Sequence, residues 1–139
     1  MKKFLSASYS KSAHHLATLA LRLSLGLVMV IGHGWTKVMH FSDMQDRFVD
    51  FMSLGPQISL ILAIIGEFVC SLLLILGLFT RIAAILLIVN MLVAISVAHN
   101  WAIIEEAQLP FIFLAGYFSL LLLGPGKLSL DGLMNRKMA

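Results

Sequence analysis

Six polar side chains sit within or at the ends of long apolar runs in this chain: Arg22, His33, Lys37, Glu67, Asn90 and His99. If those runs lie in lipid, each ionisable group costs roughly 2.5–3.5 kcal/mol on insertion scales, so each needs a partner or a task. The set contains an acid, two cations, two imidazoles and an amide. Such groups can lock helices through an internal ion pair, relay a proton, or hold a small acid or the head group of a quinone. Arg22, Gly26, Met29, His33 and Lys37 follow one another at helical intervals and form one stripe. With a rise of 1.5 Å per residue, Arg22 falls about 9 Å, Asn90 about 14 Å, Glu67 about 18 Å and His33 about 25 Å from one face of the membrane. This ordering predicts an Arg22–Glu67 contact through inclined side chains or a water, with His33 above it. His99 follows Asn90 by more than two helical turns and points to the opposite face of an ideal helix; it joins the polar cluster only if that helix bends or ends before it, and otherwise is an interfacial ring beside Trp101. The plainer alternative is that Arg22 and Glu67 only fix helix register, with Asn90 supplying an interhelical hydrogen bond.

The elements that must position these residues are membrane helices. The chain has 139 residues, enough for a single domain over 1–139. It is 60% apolar and 12% charged, with a mean hydropathy of +0.96. A soluble fold this small cannot hide that much apolar surface. The apolar runs predict an all-α, polytopic membrane four-helix bundle with spans at about 16–38, 58–79, 82–98 and 107–123. Strands are excluded because four cannot close a barrel, and unpaired backbone is costly in lipid. The link at Leu78, Phe79, Thr80 and Arg81 is so short that spans two and three must be antiparallel neighbours, with Thr80 predicted to cap the second of them. Pro56 and Pro110 suit helix starts, and Gly124, Pro125 and Gly126 end the fourth span. Between spans one and two, Ser42 and Gln45 have capping-box spacing, and Met44, Phe48, Phe51 and Met52 recur helically opposite Asp43, Asp46, Arg47 and Asp50. This predicts a short amphipathic helix on the membrane surface.

Charge sets orientation and excludes several function classes. Lys2, Lys3, Lys11, Arg81, Lys127, Arg136 and Lys137 gather at one set of span ends. Lys37 and Arg47, with Asp43, Asp46, Asp50, Glu105 and Glu106, lie at the other. The bias places both termini in the cytoplasm. The N-terminal lysines resemble a signal peptide, but a polar stretch from Ser6 to His15 follows them, so the first run reads as a retained span. The net charge of +3 comes without a basic stripe interleaved with aromatics, so nucleic acid is not an expected partner. The lone Cys70 lies in an apolar run and reads as packing. No metal site is expected, since His14 and His15 alone do not make one. There is no phosphate loop, dinucleotide fingerprint or hydrolase motif.

The order of short motifs resembles the DoxX family of small bacterial membrane proteins, from about Leu21 to Leu133. The matching pieces are Arg22 to Gly26, His33 to Lys37, Gly66 with Glu67, Leu76 to Arg81, Met91 to Ala94 with His99, and Gly124 to Asp131. The resemblance implies a four-helix protein of the bacterial inner membrane. It also implies a redox or quinone-linked setting, because a related subunit belongs to a thiosulfate:quinone oxidoreductase. The family often carries a Glu near the start of its fourth helix; here Gln108 takes the nearest matching spacing, with Glu105 and Glu106 close by. The resulting expectation is an accessory subunit of a membrane redox system rather than a stand-alone enzyme, with quinone as the candidate ligand and a soluble or membrane redox partner. The alternatives are a scaffolding membrane protein and a small proton or solute carrier, for which four spans would require a homo-oligomer.

Overall fold

The computed structural model describes residues 10–138, and side chains up to Asn135. Lys2 and Lys3, the side chains of Arg136 and Lys137, and the proposed leader-like N-terminus lie outside the described residues. Everything regular among the described residues is helical. In chain order these are α1 (Lys11–Met39), α2 (Phe41–Met44), α3 (Pro56–Leu76), α4 (Thr80–Ala98), α5 (Gln108–Leu123) and α6 (Leu130–Met138). Helices α1, α3 and α4 are long and apolar enough to cross a membrane. Helix α5 is equally apolar but has 16 residues, about 24 Å of helix against a hydrocarbon core of about 30 Å.

The bundle has two ends of different character. At one, α3 runs into α4 through a tight turn. The α3 terminus closes as a Schellman motif, with Leu78 N–H donating to the Leu73 carbonyl, Gly77 N–H to Leu74, and Gly77 left-handed. The start of α4 is capped from far along the chain. Both carboxylate oxygens of Asp131 accept from the backbone N–H groups of Phe79 and Thr80, each at 2.9 Å. The expected cap from Thr80 is therefore corrected: its hydroxyl is buried without a hydrogen bond, because Thr80 is already the first helical residue and the tail carboxylate fills the cap position. Ser129 in turn caps α6 through its Oγ, which accepts from Gly132 N–H.

Arg22 ties this end together. It is 2% exposed, and its guanidinium donates to four main-chain carbonyls: Leu74 and Ile75 at the end of α3, and Pro125 and Leu128 in the tail. The last carbonyls of a helix lack their regular intrahelical partners, and here a side chain from α1 bonds Ile75 and takes the second acceptor site of Leu74, which also accepts from Gly77 N–H. Small and apolar residues pack above this knot, including Thr18 and Met29 of α1, Ser71 and Leu74 of α3, Ala83, Ala84 and Leu87 of α4, and Tyr117 and Leu120 of α5.

The opposite end is looser. The surface helix expected between the first two long helices is present but stops at Met44. Ser42 lies inside it, so the expected capping box is not formed, and the chain turns through left-handed conformations at Met52 and Ser53. This segment is held to α3 by Ser59, whose Oγ accepts from Phe51 N–H at 2.9 Å, and by Asp50, which accepts from Gly55 N–H at 2.9 Å.

The Arg22 knot makes a direct prediction. Arg22→Met removes the donor to four carbonyls at a buried helix end and should destabilise the folded protein by about 3 kcal/mol or more. Unfolding in mixed micelles followed by circular dichroism reads this, and wild-type stability in the variant would show the knot to be dispensable.

Candidate functional site

Three of the long helices change their winding around one cavity, α1 and α3 where they touch and α4 nearer the loop end. Val30–Gly34 in α1, Ile65–Cys70 in α3 and Ala94–Ala98 at the end of α4 are single π-helical turns. Wider turns of this kind leave part of the backbone ladder displaced and recur at functional sites. Each carries or adjoins one of the sequence-selected polar residues: His33 and Lys37, Glu67, and His99.

Helices come close here because two glycines allow it. A side-chain carbon at Gly34 would lie 2.9 Å from the backbone of Glu67, so α1 and α3 touch main chain to main chain where both are π-helical. A carbon at Gly66 would lie 2.7 Å from the Asn90 amide nitrogen, which brings α4 against α3. These contacts set the height of Glu67 relative to α1 and to Asn90.

Glu67 is paired with Lys37. The ammonium donates to Glu67 Oε2 at 2.5 Å, and both side chains are largely buried. The expected Arg22–Glu67 contact is thus corrected. Arg22 spends its guanidinium on carbonyls at the turn end, and the stripe on α1 extends past it to bring a second cation, Lys37, to the acid. The ion pair neutralises charge without removing hydrogen-bonding capacity: the second carboxylate oxygen and two ammonium protons are left for other partners.

A cavity of about 490 Å³ adjoins this pair. Its wall includes His33, Lys37, Glu67, Asn90 and His99, so the structure brings together five of the six residues singled out in the sequence and leaves Arg22 outside. The rest is mainly apolar, with Met29, Ala63, Met91 and Phe113 below and Phe48 and Phe51 at the loop end. His33 meets the edge of Phe113, ring centroids 6.2 Å apart and nearly perpendicular. Asn90 belongs to the cavity wall, but its amide nitrogen is turned in against Gly66 and is buried there without a hydrogen-bond partner. A buried donor left unpaired costs about 1–3 kcal/mol.

His99 reaches the cavity rather than the opposite face. The π turn before it advances the side chains by less than an α-helical turn would, so ideal-helix spacing from Asn90 misplaces it. Its Nδ1 lies 2.7 Å from the Ala94 carbonyl, and Trp101 is exposed and left-handed rather than stacked with it. Gln108 opens α5 and bonds back through Nε2 to the Ile104 carbonyl, on the exposed surface. Glu106, which the sequence offered as an orientation signal and as a neighbour of the family's fourth-helix Glu position, lines the cavity. So do Ser59 and Phe51, whose joint role was hidden by their separation in the chain. Among the described residues, no group of three His, Cys, Asp or Glu side chains could hold a metal ion.

Removing either member of the Lys37–Glu67 pair strands the other, which should cost about 3–5 kcal/mol, whereas replacing both with apolar residues should recover much of that loss. Chemical unfolding of Lys37→Met, Glu67→Leu and the double variant reads the coupling; strictly additive losses would mean that the pair does not act as a unit.

The stretch of chain that carries this site matches a known family. The DoxX family model matches residues 17–100, which hold the three π turns and every polar residue of the cavity except Glu106. A curated relative, Inner membrane protein YphA of Escherichia coli (strain K12), is 33% identical over 133 residues, covering 86% of this chain and 91% of that protein. No solved structure matches the chain. The sequence match and the all-helical bundle agree, and the chain belongs to the DoxX family.

Proposed function

We propose that this protein is an accessory component of a quinone-linked redox system in the bacterial inner membrane, and that its cavity holds a quinone-type ligand. The observation that carries the reading is the convergence of three π turns on one largely apolar cavity with a compact polar end. Lys37 and His33 offer donors from the wall, the Asn90 side chain adds polarity beside them, and Glu67 holds Lys37 in place. Carbonyl oxygens of a quinone ring suit such donors, and the apolar wall suits a ring and the start of an isoprenoid tail. With no cofactor of its own in this reading, the chain would hold and present the ligand while a partner protein supplies the electron transfer.

The inner-membrane setting follows the relative's description, and the topology follows charge. Lys11, Arg81 and Lys127 lie at the turn end; Asp43, Asp46, Asp50, Glu105 and Glu106 lie at the loop end. With α5 crossing a locally thin region, four crossings put both termini in the cytoplasm and the cavity in the outer half of the membrane. Arg22 then has a purely architectural task, which narrows the scaffolding alternative to the cytoplasmic half of the bundle.

Binding of decylubiquinone to the purified protein in nanodiscs tests the reading. The wild type should bind, while Lys37→Met and Asn90→Leu should each weaken binding by about tenfold, equivalent to ~1.4 kcal/mol. Negligible binding by all three proteins would reject the quinone site.

A further inference from the structure

The cavity is not walled equally on all sides. Helix α4 packs on the Ile65–Cys70 turn of α3 and on the segment from Ser71 to Leu76. The first part of α3, from Pro56 to Ile64, instead finds its neighbour in the end of α1, Trp35–Met39. The two helices therefore diverge from Glu67 toward the loop end. Residues on both lips of the α3–α4 seam line the cavity and also face outward from the bundle: Leu62 and Ile65, where α3 diverges, are 46% and 43% exposed, and Leu86 and Val89 on α4, on the turn-end side of the Asn90–Gly66 contact, are 46% and 49% exposed. A side chain can do both only where the cavity wall is open. These lips are wholly apolar, and their outward faces lie on helices fit to span a membrane, so lipid rather than water meets them.

We propose that the cleft between α3 and α4 is a lateral entrance, through which a lipid-soluble amphiphile enters the cavity directly from the bilayer. Its polar head comes to rest at Lys37, Glu67 and Asn90, and its apolar tail leaves between Leu62, Ile65, Leu86 and Val89. The identity of the occupant as a quinone-type molecule rests on the function proposed above; the entrance rests on the divergence of the helices. Asn90 is the positioning residue at the inner edge of the cleft. It sits against Gly66, where the helices last touch, and its side chain closes the cleft at that level, one residue from Val89 on the lip.

The test uses the full chain in phosphatidylethanolamine–phosphatidylglycerol liposomes, with the lone cysteine replaced (Cys70→Ala). A nitroxide is attached at Asn90→Cys and, in a separate protein, at Ala94→Cys, so that one label serves if the other disturbs folding. Power saturation compares collisions with oxygen, which partitions into lipid, and with nickel-EDDA, which stays in water. A lateral entrance gives greater oxygen than nickel accessibility at both sites, and adding Leu62→Trp or Leu86→Trp lowers the oxygen value. Nickel accessibility exceeding that of oxygen would show that the cavity opens to water at the loop end and would overturn the entrance, whatever the protein binds. Decylubiquinone should reduce oxygen accessibility in the unblocked Ala94→Cys protein, which keeps Asn90 and is the one read for this arm. Oxygen access that responds to the tryptophans but not to decylubiquinone would uphold the entrance and remove the quinone as its occupant.

Discussion

A charged side chain in a membrane bundle must find its partners inside the protein, and Arg22 finds them in the main chain. Four carbonyls from two distant segments converge on one guanidinium. Those segments also touch directly, with Asp131 N–H donating to the Gly77 carbonyl at 2.9 Å, and the guanidinium adds a second tie: the end of α3 has acceptor capacity to spare, and the irregular tail after α5 has carbonyls that need donors. The arginine satisfies both and fixes the start of α1 between them. Asp131, carried by the same tail, then caps α4. One cation and one anion, never in direct contact, thus organise the tight end of the bundle and leave the far end free to differ.

That division explains how so small a protein can hold a cavity. At the turn end the helices interlock through small side chains and tight packing. Beyond Gly34 and Gly66 they separate, and the polar groups that remain are gathered on the inner surface of the opening. The π turns mark the transition. Each offsets the helix beyond it and turns side chains inward that regular winding would send elsewhere, as His99 illustrates. The Lys37–Glu67 pair sits on this boundary, belonging to the packed half through its burial and to the open half through its unused hydrogen-bonding capacity.

Most of the bundle could be read from the sequence because lipid imposes a simple rule: long apolar runs become helices, and charge sorts their ends. The polar stripe on α1 was legible for the same reason, since Arg22, His33 and Lys37 recur at helical intervals. The choice of partner was not. Height along a regular helix favoured Arg22 for Glu67, but the acceptors that claim Arg22 are backbone carbonyls, which look alike in every sequence. For His99 the sequence left two places open, because no residue type announces the π turn that brings it to the cavity. Thr80 was misread because its cap comes from residue 131, a separation at which local spacing says nothing. The surface helix after α1 was right in place and too long in extent, since alternating charge and bulk persists beyond the point where Met52 and Ser53 turn left-handed.

The remote cap also has a bearing on how the protein is made. Helices α3 and α4 leave the ribosome as an antiparallel hairpin, yet the N–H groups at the start of α4 and the guanidinium of Arg22 wait for partners that are synthesised later. Until the segment from Pro125 to Asp131 emerges, the inserted helices carry unsatisfied polar groups at one shared spot. Assembly therefore ends with the tail, and a nascent chain stalled before it would expose at that spot a local sign of incompleteness that quality-control proteases of the membrane are suited to find.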